Sequence, residues 1–200
     1  MSNSNATKVQ SITGIALLAA IIVILQVVAT FIRPGLIPVN LVLPTIVIGS
    51  AMYGAKAGAL LGLCFGAVVL SSGISGTAPM STMMWSASPL LMTVVTLGRG
   101  AAQGYAAGVV YTMFKKKSTF AGVLAAAIVA PIVNTGIFLG ALILLFRDTL
   151  VHFAGDTNAL YFAFMVMAGT NFLFELIVNV VLVSAIDRII RVVRKTSFSV

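Results

Sequence analysis

Polar and apolar residues alternate along this chain in long blocks, not at the short period of a strand or a surface helix. Apolar windows run at about 11–32, 37–53, 57–74, 89–113, 119–146 and 160–187, each long enough to predict a helix hidden on all sides. The second and third windows are separated only by Tyr53-Gly54-Ala55-Lys56, which predicts a tight helical hairpin. Residues before Ser11 are polar and predict a frayed start. The first window exceeds the apolar core of a signal peptide and no small-residue cleavage site follows it, so it is expected to be a retained helix. From Ser71 to Pro89 the chain is rich in Gly, Ser and Thr, with Trp85 near its end. This predicts a long polar loop and a candidate gate over a binding site.

Composition turns six helices into six membrane spans. Hydrophobic residues make up 60% of the 200 positions and charged residues 8%, and mean hydropathy is +1.14. A soluble domain carries about 25% charged residues, so the expected class is an all-α integral membrane protein, one membrane domain over residues 1–200.

The net charge of +8 does not point to nucleic acid, because the basic residues stand at helix ends. With six spans, Lys8, Lys56, Lys115, Lys116, Lys117, Arg188, Arg191, Arg194 and Lys195 share one side, nine in all, against Arg33 and Arg147 on the other. The positive-inside rule then predicts that both termini are cytoplasmic.

Arg99 belongs to neither side. It lies ten residues into the fourth window, about 15 Å below the outer surface. At that depth an arginine costs about 2.5–3.5 kcal/mol unless it faces protein, water or a ligand. Counted from the outer ends of their own windows, Asn134 and Asn171 fall at about 15–18 Å as well, with Asn40 and Gln26 nearer the outside. Asn171, Glu175 and Asn179 are spaced by four and share one inward face. Two chemistries fit this set. Arg99 pairs with Glu175 while the asparagines cross-link helices, or Arg99 receives an anionic solute through its planar fork, with the amides alongside.

Gly58, Gly62 and Gly66, preceded by Gly54, and Gly100, Gly104 and Gly108 recur every four residues and predict close helix packing. Ala16 and Ala20 repeat the spacing on the first helix, which is either an internal contact or a docking face. No phosphate-binding loop, metal-ligand cluster or nucleophile–base set is present, and Cys64 and His152 are solitary. The expectation is a non-enzyme without cofactor or metal.

Several stretches together carry a resemblance: Gly14–Ala20, Ile37–Pro44 continuing to Gly49, Tyr53–Ala59 with Gly62–Gly66, Arg99-Gly100, Asn134–Phe138 and Asn171–Glu175. Their order and spacing resemble the substrate-binding S components of bacterial energy-coupling factor (ECF) vitamin transporters, most like the pantothenate type. The resemblance implies a six-helix bundle in the bacterial cell membrane, with a vitamin site reached from outside and closed by the loop after the third helix. It also implies a transmembrane coupling subunit, docked on the Ala16/Ala20 face, and two cytoplasmic ATPases. Motion would be a toppling of the S component in the lipid. Pantothenate suits the site residues, with a carboxylate for Arg99 and an amide and hydroxyls for Asn134, Asn171 and Asn40. Other vitamins of the same class, such as cobalamin, riboflavin or folate, and a self-sufficient small-solute transporter are the alternatives.

Overall fold

The computed structural model describes residues 2–31, 42–165 and 172–197, with side chains described for 8–29, 42–165 and 172–193. Asn40, Asn171 and Arg33, and the beginning of the 37–53 window, lie outside these residues. All regular structure among the described residues is helical: α1 (Ser2–Phe31), α2 (Leu43–Tyr53), α3 (Ala55–Ile74), α4 (Pro79–Ala87), α5 (Pro89–Phe114), α6 (Thr119–Leu144), α7 (Arg147–Ala154), the single turn α8 (Ala159–Tyr161) and α9 (Leu173–Ser197). Three of them are long and apolar enough to cross a membrane: Lys8–Ala29 in α1, Ala55–Ile74 and Thr119–Leu144. Helices α5 and α9 have comparable length, 26 and 25 residues, but carry polar side chains within.

Local chemistry sets the boundaries. Gly54 alone joins α2 to α3, at φ +90°, a backbone state that glycine adopts without a Cβ penalty. Pro89 opens α5 at a position where a missing N–H costs nothing. Ser88 Oγ accepts from Leu91 N there, and Ser118 Oγ accepts from Ala121 N at the start of α6.

Helices α3 and α5 run antiparallel at close range. A Cβ on Gly62 would land on the carbonyl oxygen of Gly100, one on Gly58 on that of Gly104, and one on Gly66 would lie 2.7 Å from that of Thr96. Helix α6 packs on both α5 and α9, while α1 packs on α2 and α3. Because the N-terminal half of α1 lies beside the α2–α3 turn, with Gly14 against Tyr53, Lys8 joins Lys56, Lys115, Lys116, Lys117, Arg188 and Arg191 on one end of the bundle. All of these side chains are exposed. Arg147, on α7, stands at the far end.

Three expectations are corrected. The stretch 71–89 is not an open loop: Pro79 at a first-turn position and the helix formers Met80, Met83 and Met84 build α4 within it. The polar start is helical from Ser2, continuous with α1. The last window is not one regular helix. Wider i→i+5 turns stand at 162–165 and at Phe172, and α9 continues to Ser197. Its polar end is held in register by Asp187 accepting from Arg191 Nε at 2.8 Å, an i,i+4 pair.

Candidate functional site

Beside the cluster that seats α1 on α2 and α3, two apolar clusters divide the bundle along its axis. Near the basic end, Leu43, Val47 and Ala51 of α2 pack with Ala107 and Tyr111 of α5, Val123, Ala126, Ala127 and Ala130 of α6, and Val183, Ile186 and Ile190 of α9. At the far end, Met84 of α4 packs with Met92 and Val95 of α5, Leu139 and Leu142 of α6, and Leu150 of α7, with Trp85 and Phe138 on its margin.

Side chains three or four apart on a helix share a face, so the inward stripes of α5 and α6 can be followed from one cluster to the other, and that of α9 outward from the first. On α5 it runs Tyr111, Ala107, Gln103, Arg99, Val95. On α6 it runs Ala127, Ala130, Asn134, Phe138, Leu142. On α9 it runs Ile190, Ile186, Val183, Asn179, Glu175. The polar residues of all three helices occupy the interval between the clusters. Ala107, Ala130 and Val183 belong to one cluster, and four residues, about 6 Å, beyond each stand Gln103, Asn134 and Asn179. A further turn brings Arg99, Phe138 and Glu175.

The second of these layers is electrostatic. Arg99 Cζ lies 4.7 Å from the centroid of the Phe138 ring, a cation–π contact. The Glu175 carboxylate is near enough for its charge to act on the guanidinium. Glu175 is 2% exposed and Arg99 partly buried. Arg99 Nε is shielded from solvent and has no hydrogen-bond partner among the described residues. Arginine side chains on helices point toward the helix N-terminus, here toward the far end, which brings the guanidinium to the Phe138 level and leaves Asn134 a turn behind.

The amide layer is drier. Gln103 and Asn179 are 0% exposed and Asn134 is 5% exposed. Asn179 Nδ2 donates to the carbonyl oxygen of Glu175 at 2.8 Å, within its own helix.

Arg99, Asn134 and Glu175 therefore come together. Gln26 does not join them: it is 6% exposed, one turn from Ile22, on the α1 face that packs against α2 and α3. Trp85, on α4, is half-buried on the cluster that includes Phe138. Ala16 and Ala20 are exposed on α1. Two residues of the interval escape the sequence pattern. Phe138 has no polar signature in an apolar span, and Gln103 sits inside a glycine row whose packing role explains the whole stretch. Its one signal is its position four residues after Arg99.

No metal-binding group of three or more His, Cys, Asp or Glu occurs among the described residues. No curated protein matches the chain. The family model for the ECF transporter, substrate-specific component, matches residues 10–186, which include every residue of the polar interval, and the chain belongs to that family.

Proposed function

We propose that this chain is the pantothenate-binding subunit of an ECF transporter, taking the vitamin from outside the bacterial cell membrane into the polar interval between α5, α6 and α9. Members of the family are substrate-binding transporter subunits, not enzymes, and they work with a transmembrane coupling subunit and ATPase subunits. Six spans with both termini cytoplasmic are part of the proposal. The basic end then faces the cytoplasm, as the positive-inside rule requires, and α4 and α7 face outward.

One observation carries the reading: a buried guanidinium braced on Phe138, with a shielded Nε that no described group accepts from. An anion arriving from the far end would satisfy it with charge-assisted hydrogen bonds. Pantothenate supplies one carboxylate for that position and an amide and two hydroxyls for Asn134 and its neighbours. Asn40 and Asn171 are assigned to the same site. Glu175 balances Arg99 when no solute is bound. Trp85, on α4, belongs to the cover over the entrance.

Calorimetry on purified protein without ATP tests this. Wild type binds pantothenate, Arg99→Ala binds about 10- to 100-fold more weakly, as loss of a hydrogen bond to a charged group entails, and Arg147→Ala binds as wild type does. Equal effects of the two substitutions would remove Arg99 from the site. If the co-purifying small molecule proves by mass spectrometry to be cobalamin, riboflavin or folate, the subunit stands and the vitamin changes.

A further inference from the structure

Arg99 accounts for only one of the two layers. In the other, among the described residues, Gln103 has neither amide Nε2 nor Oε1 hydrogen-bonded, and the Oδ1 atoms of Asn134 and Asn179 are likewise without a partner. A buried polar group left unmatched costs about 1–3 kcal/mol, and native interiors tolerate few of them. Amides meant only to tie helices together would bond to one another or to a neighbouring backbone, as Asn179 Nδ2 does. Gln103 reaches nothing among the described residues. The three side chains come from three helices, stand at the same distance from one apolar cluster, and carry no net charge.

We propose that Gln103, Asn134 and Asn179 form the deep end of the substrate site, taking the uncharged, hydroxyl-bearing end of the solute whose anionic group meets Arg99. The inference rests on the reading of the Arg99 layer as the substrate site. A hydroxyl both donates and accepts, so it matches an amide layer better than a second charge would. The spacing of one helical turn between the layers asks for a ligand whose hydroxyls stand about 6 Å from its anion. Gln103 thereby selects against acids that lack the polar end, since they would leave its amide buried and unmatched.

The test uses full-length protein and two probes. Pantothenate carries both ends, and N-acetyl-β-alanine keeps the carboxylate and amide but lacks the two hydroxyls. Gln103→Leu is expected to weaken pantothenate about tenfold and to leave N-acetyl-β-alanine, measured by displacement of labelled pantothenate, unchanged. Asn179→Leu gives the same split and serves as the second variant if Gln103→Leu fails to fold. Arg99→Ala weakens both probes. Folded variants that bind pantothenate as wild type does, or that lose both probes equally, overturn the deep subsite while the role of Arg99 stands. Failure of wild type to bind pantothenate overturns the functional reading and the subsite with it.

Discussion

At the residue scale, the energetics turn on how a guanidinium is kept inside an apolar bundle. Desolvation opposes it, the Glu175 charge and the face of Phe138 offset part of the cost, and the Nε, unpartnered among the described residues, is what the proposed function assigns to a ligand. Phe138 is thus a positioning residue, holding the guanidinium plane toward the far end. A cation–π contact out of water contributes about 1–2 kcal/mol. Phe138→Leu is therefore expected to weaken pantothenate about 5- to 30-fold, and Phe138→Tyr, which keeps a ring face, to restore it in the same calorimetric assay. A leucine variant that binds like wild type would show that the ring is only cluster packing. Arg99, Asn134, Glu175 and Asn179 stood out in the sequence because a polar group deep in an apolar window has to be explained, whereas Gln103 was masked by its glycine row. Phe138 was not legible, since an aromatic ring there needs no explanation until a cation is found on it.

At the element scale, the α3–α5 contact sets the position of the site, because Arg99 and Gln103 flank the glycines that bring α5 against its neighbour. Their angular position on α5 is fixed only while Gly100 and Gly104 face α3. Gly62→Ala would push a methyl group into the Gly100 carbonyl, with no flexible side chain to give way. The expected cost is about 1–3 kcal/mol, read as a lower midpoint of thermal unfolding in detergent, with ligand affinity falling as α5 shifts. Gly140→Ala is the control, since nothing lies within 4 Å of its added carbon. Equal stability of the two variants would mean that the helices separate without penalty. Spacing by four made these rows readable in advance. Helix α4 was hidden because Ser, Thr and Gly around Pro79 carry the composition of a loop, and only the proline at a helix start marks the change. The tail of α9 was hidden for the opposite reason: its hydropathy fades where its i,i+4 ion pair takes over.

At the scale of the whole molecule, one side of the bundle is covered by nothing among the described residues. Helix α1 buries Ile22 and its neighbours against α2 and α3 and presents Ile12, Ala16, Ala20 and Ile24, one every four residues, on its exposed side. Lipid alone would accept large apolar residues at all four places. Two alanines in the middle of the row instead leave a shallow groove of the kind that lets a second helix approach closely. As this family works with a membrane-embedded partner, the groove is proposed as the docking face for the coupling subunit. The site between α5, α6 and α9 lies across α2 and α3 from it, so docking and binding should be separable. Ala16→Trp or Ala20→Trp fills the groove without touching the polar interval. Pantothenate affinity is expected to match wild type, while uptake of labelled pantothenate by cells co-expressing the coupling subunit and ATPases falls about tenfold, the effect of overpacking by 1–3 kcal/mol. Lost binding would place the alanines in an internal contact, and undiminished uptake would put the partner on another face.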